Sequence, residues 1–135
     1  MIVAVPILDP NDVPWATAKA IDLHRKTKAR IHLINVRPRF PRHVSRFFTA
    51  KYLDRVYLED GLQLLEAAMK ALDRAGVPYW KHVLVGRKLE ELVEFVSSHH
   101  CGEVVLRNEP ENLISMLGLA SVNSRTRKAL KARYG

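Results

Sequence analysis

The sequence predicts an α/β domain: a single doubly wound parallel sheet of four strands with helices on both faces. Three observations carry that expectation. Four short, largely apolar runs (Ile2 to Ile7, Arg30 to Val36, Tyr79 to Val85 and Glu103 to Leu106) alternate with stretches whose apolar residues recur at helical spacing. The first run shows no polar alternation, as expected of a strand buried on both faces. The 135 residues fit one domain, and a chain of this size buries roughly two thirds of its unfolded surface without a disulfide or metal staple. No repeat, low-complexity stretch or internal boundary interrupts residues 1–135, which read as one domain.

After the first strand, LDPNDVP is a loop. Asp12 is placed to cap the helix that follows, and Pro14 suits its first turn. Ala16, Ala20 and Leu23 then mark the buried stripe, with Lys19, Asp22 and Lys26 facing away. Two prolines make RPRFPR a loop after the second strand. Residues 44–75 carry one long helical pattern whose stripe is Tyr57, Gly61, Leu64, Leu65, Ala68, Leu72 and Ala75. A glycine inside a helix costs about 1 kcal/mol relative to alanine, so Gly61 signals close packing or a break. Gly76 is a helix terminator. Leu89, Leu92, Val93 and Val96 mark a third helix, and Val122, Thr126, Ala129 and Leu130 a last one.

The formal net charge is +8. Much of the excess sits in Arg37, Arg39, Arg42, Arg46, Lys51 and Arg55, and in the tail residues Arg125, Arg127, Lys128, Lys131 and Arg133. Solvated faces of this kind keep a protein soluble, and no nucleic-acid-binding motif accompanies the charge, so a nucleic-acid partner is not expected. A single cysteine, Cys101, excludes an intrachain disulfide and suits a reducing cytoplasm. The opening MIVAVPILDP lacks a basic leader, and no apolar stretch is long enough to span a bilayer. A soluble cytoplasmic protein with no membrane span and no membrane partner is the expectation.

The usual chemical signatures are missing. There is no GxGxxG after a strand and no GxxxxGK[ST]. His99, His100 and Cys101 are adjacent, and neighbouring residues rarely converge on one tetrahedral ion, so no metal site is expected. Glu90, Glu91 and Glu94 look like the solvent face of one helix. The serines lack a nucleophile elbow. No catalytic residue is assigned.

Several segments together resemble the universal stress protein family, the UspA-like branch of the adenine-nucleotide alpha-hydrolase-like α/β domains. They are AVPI at the end of the first strand, AIDLHRKTKARIHLINV, and AGVPYWKHVLVGRKLEELVEFVSSHHCGEVVL. The resemblance implies strand order 3-2-1-4 and, in the family's ATP-binding members, a glycine motif after the fourth strand. Here that register falls on Arg107, Pro110, Ala120 and Ser121: the spacing is kept, the three glycines are gone, and only Ser121 matches. The glycines would let backbone N–H groups wrap phosphates, and proline has no N–H to give. The family's aspartate after the first strand aligns with Leu8, with Asp9 one residue late. Val36 matches a position that lines the adenine pocket. The chain stops at KARYG, where the family's fifth strand would begin.

Two functional expectations follow. The first is a non-enzymatic stress-response or regulatory domain without a cofactor, acting as a homodimer or higher homo-oligomer and through a protein partner. The alternative is a module that holds ATP, AMP or another phosphorylated ligand through arginines. Its candidate ligand residues are Asp9, Val36, Arg37, Arg39, Arg107, Asn108 and Ser121. Nucleic-acid binding through the basic clusters is the weakest reading.

Overall fold

The computed structural model describes residues 1–106. Four strands, β1 (Ile2–Pro6), β2 (Arg30–Arg37), β3 (Tyr79–Val85) and β4 (Glu103–Val104), form one sheet in the order β3-β2-β1-β4. Every pairing is parallel. This is the order the family resemblance implies. The helices are α1 (Val13–Thr27), α2 (Arg42–Ser45), α3 (Ala50–Arg74) and α4 (Lys88–Ser98).

Strand parity divides the core in two. Val3, Val5 and Ile7 of the first strand and its extension, with Ile31 and Leu33 of β2, point to one face and meet Ala16, Ala20, Leu65, Ala68 and Leu72 of α1 and α3. Ala4, Ile34 and Val36 point to the other face and meet Leu92, Val93, Phe95 and Val96 of α4. The split follows from the connections. Parallel crossovers are right-handed, so winding outward to β3 and then back to β4 places α4 on the opposite face from α1 and α3.

The stripe proposed for the long helix is largely the buried one: Tyr57, Gly61, Leu65, Ala68 and Leu72 are buried, and Leu64 is half-buried. The helix is not continuous from residue 44, however. α2 ends at Ser45, and Phe47 and Phe48 turn back onto the carbonyls of Val44 and Ser45. Thr49 then adopts extended backbone and its Oγ1 accepts the Tyr52 N–H at 3.1 Å. A hydroxyl that satisfies an otherwise orphaned N–H starts a new helix there. Gly61 proves to be a close-approach site: a Cβ would lie 2.6 Å from Val83 Cγ2 on β3. Gly76, at φ +70, closes α3, with the Val77 N–H returning to the Leu72 carbonyl at 3.0 Å.

Two local expectations need correction. Asp12 precedes α1 but makes no side-chain cap to it. Its Oδ2 instead accepts the N–H groups of Leu8 and Asp9, both at 3.1 Å, because a 3-10 turn over Pro10–Asp12 points the carboxylate back up the chain. The fourth strand is shorter than Glu103 to Leu106. Regular pairing covers Val3↔Glu103 and Ala4↔Val104, extended by one bond from the Val105 N–H to the Ala4 carbonyl at 2.9 Å. The last expected helix, and the place where the family's fifth strand would begin, lie outside the described residues.

Substituting Gly61→Ala gains roughly 1 kcal/mol of helix propensity and forces overpacking that typically costs about 1–3 kcal/mol. Urea unfolding is expected to show a net loss of stability, and a Val83→Ala background should remove most of it. An unchanged or raised midpoint for Gly61→Ala alone would disprove the contact.

Candidate functional site

In an open parallel sheet, ligands sit beyond the carboxyl ends of the strands where the strand order reverses. The order β3-β2-β1-β4 places that reversal between β1 and β4, so among the described residues the loop after Ile7 reaches it. Asp9 lies on this loop. Its Oδ1 accepts the Asn11 N–H at 2.8 Å, and its own N–H donates to Asp12 Oδ2 at 3.1 Å. Both halves of a capping box are therefore closed around this turn. Val36 is 2% exposed and packs in the α4-side core.

The two arginines at the end of β2 occupy different surroundings. Arg37 is half-buried, its carbonyl accepts the Gly86 N–H at 2.9 Å, and its buried Nε has no hydrogen-bond partner among the described residues. Arg39 lines a cleft of about 830 Å³ together with Pro38, Gly86, Arg87, Lys88 and Leu89. This cleft is built from the loop after β2 and the turn from β3 into α4. It therefore lies beside the β2 and β3 ends, one and two strands from the β1/β4 reversal. Gly86 is required at its rim, since φ is +147 there and a Cβ would meet Glu91. Arg87 Nη1 pairs with Glu90 Oε1 at 3.4 Å at an exposed position, where such a pair contributes little. Arg107, Asn108 and Ser121 lie outside the described residues.

Sequence reasoning missed Asn35. It is fully buried within β2, and its Nδ2 donates to the Ile7 carbonyl at 2.8 Å while Oδ1 has no partner among the described residues. Trp15 Nε1 is likewise buried, with no partner among them. A carboxamide in the middle of an apolar strand was the available signal: a buried amide must find partners or cost free energy.

It also missed a cluster of imidazoles on the α4 face. His32 Nδ1 and His82 Nε2 stand 2.8 Å apart. Trp80 stacks on His32, with ring centroids at 5.1 Å. His99 stacks on Phe95 at 3.8 Å and lies 5.8 Å from His82. The register produces this, because β2 pairs with β3 as His32↔Trp80 and Ile34↔His82, which places all three rings on one face. Burial first, then the neighbouring His82, His99 and Arg30, pushes His32 down to about 4. Burial, followed by His99, lowers His82. Both are neutral at pH 7. Among the described residues, no group of three or more His, Cys, Asp or Glu is arranged to hold a metal ion. Cys101 is 1% exposed, and burial pushes its thiol up to about 12, which makes it a packing residue.

With this geometry in place, comparison with known proteins identifies the architecture. The chain is similar to a protein from the universal stress protein family from Burkholderia pseudomallei, with a TM-score of 0.63 and 17% sequence identity over 89% of each chain. It is also similar to a universal stress protein solved in complex with cAMP, with a TM-score of 0.61 and 14% identity over 93% of each chain. No protein-family model matches the sequence, and no curated protein matches it. The fold and strand order are thus those of the UspA-like α/β architecture, at 14–17% sequence identity to these solved structures.

The imidazole cluster makes stability depend on pH in one direction. Burial holds His32 down at about 4 in the folded chain, against the ordinary imidazole value of 6.5. The unfolded chain therefore takes up a proton that the folded chain refuses, and stability falls as pH drops from about 6.5 towards 4. Denaturant unfolding between about pH 7 and about pH 5 should show this loss, and His32→Asn should flatten the slope. An equal slope in the variant would remove His32 from the explanation.

Proposed function

We propose that this chain is a non-enzymatic regulatory domain of the universal stress type that self-associates, acts through a protein partner and does not hold ATP by a glycine motif. One observation carries the reading. Val36 stands where the family resemblance places the adenine pocket and Asp9 one residue past the place of its aspartate, and both serve the fold. Asp9 closes a capping box, and Val36 is core. The capping box fixes the direction of the Asp9 carboxylate, and a fully packed valine offers no wall to a base. Regulation by association is the reading that remains, and a cytoplasmic setting fits it.

A second reading, in which the domain holds a phosphorylated nucleotide through arginines, is supported by Arg37. Its buried Nε has no partner among the described residues, the kind of donor an anion satisfies. One structural neighbour was solved with cAMP.

Sedimentation velocity of the full chain at micromolar concentration tests the leading reading. A dimer or larger species is expected, and a monomer would contradict it. For the second reading, a cyclic or linear adenine nucleotide should raise the melting temperature of the unmodified chain and leave that of Arg37→Ala unchanged. No shift in either would dismiss it.

A further inference from the structure

The turn from α2 into α3 carries large apolar side chains in solvent. Phe47 is 72% exposed, Phe48 47%, Tyr52 43% and Val44 38%. Single exposed apolar residues are ordinary, whereas a group within one turn-and-helix segment marks a contact surface. The group is organised: Phe48 stacks on Tyr52 with centroids 5.2 Å apart, and the Phe47 N–H donates to the Val44 carbonyl at 3.2 Å.

Cations surround it. Arg42, Arg46, Lys51 and Arg55 lie in the same segment, where Asp54 is the only acid. None of these four takes part in an ion pair among the described residues. The Arg46 guanidinium lies 4.9 Å from the Phe47 ring centroid and that of Arg55 lies 5.7 Å from the Tyr52 centroid.

Three features select the partner. One face of the Phe47 and Tyr52 rings is taken by a guanidinium and Phe48 stacks on Tyr52, which leaves less ring surface for stacked nucleobases than a bare aromatic platform would. The concavity beside them, about 350 Å³, is lined by Thr49, Lys51, Tyr52 and Arg55. It suits a charged headgroup rather than an apolar anchor from a protein. A second copy of the same basic surface would be repelled. Phenylalanines on a turn, flanked by arginines, match a bilayer interface: rings enter the acyl boundary while long cationic side chains stay at the phosphates.

We propose that this surface docks the protein peripherally on an anionic lipid bilayer, with Phe47 and Phe48 inserted and Arg42, Arg46, Lys51 and Arg55 at the headgroups. The sequence excluded a span, and no described helix is long and apolar enough to cross a membrane; contact with one leaflet is a separate matter. The proposal is independent of whether the sheet holds a nucleotide.

The test is co-sedimentation of the full chain with phosphatidylcholine vesicles, with or without phosphatidylglycerol. Binding is expected only with the anionic lipid, and it should weaken as salt rises. Phe47→Ser/Phe48→Ser, at exposed positions, should lower partitioning about tenfold or more, and Arg42→Glu/Arg46→Glu should abolish it. No binding to anionic vesicles would overturn the proposal. Undiminished binding of the phenylalanine variant would also overturn it, leaving charge alone. So would single-stranded RNA binding that depends on the same phenylalanines while vesicles are ignored.

Discussion

Everything in this fold depends on β1 being paired on both edges and buried on both faces. Val3, Ala4 and Val5 have no exposure, and β1 bonds to β2 on one side and β4 on the other. A central parallel strand cannot be reached by hairpins, so each neighbour requires a crossover, and the crossovers supply the helical layers. The carboxyl end of β1 is tied twice to β2. The Ile7 N–H donates to the Ile34 carbonyl at 2.8 Å, and the Asn35 amide donates to the Ile7 carbonyl at 2.8 Å. The position at which the chain leaves the sheet for the reversal of strand order is therefore fixed by main-chain bonds and one buried amide.

In the proposed reading, the described positions that were candidates for a nucleotide contact serve the fold instead. The Asp9 carboxylate holds the turn through which the chain leaves β1, and Val36 fills the core beneath α4. The positive charge that remains is dispersed. Arg37 is half-buried at the end of β2, Arg39 faces the cleft beside the β3–α4 turn, and the segment around Phe47 carries its own cations on the surface. A fold can be retained while a site changes, because the strands are held by burial and backbone bonding, neither of which needs the ligand.

Much of this was legible in the sequence, where a single physical cause leaves a local mark. Burial on both faces marks β1 as an unbroken apolar run. Helical spacing marks Ala16 and Ala20, and a costly glycine at position 61 marks the approach of β3. What stayed hidden depends on competition or on register. Thr49 restarts a helix because its hydroxyl satisfies the Tyr52 N–H, and the continuous stripe around it gives no warning. Asp12 had two sets of N–H groups to choose between, and the 3-10 turn decided in favour of Leu8 and Asp9. The imidazole cluster joins residues 32, 82 and 99, which only the β2–β3 register and the end of α4 bring together. Of the candidate site, Asp9, Val36, Arg37 and Arg39 fall within the described chain. Sequence spacing placed them near strand ends, but not which face or neighbour each would meet.

The central claim of the proposed function is that the described candidate positions serve the fold rather than a nucleotide. Calorimetric titration of the full chain with Mg-ATP, AMP and cAMP at moderate salt tests it most directly. The account predicts no saturable heat up to millimolar ligand. Heat that saturates near one ligand per chain would contradict it, and would mean that arginines have taken over the task of the lost glycines.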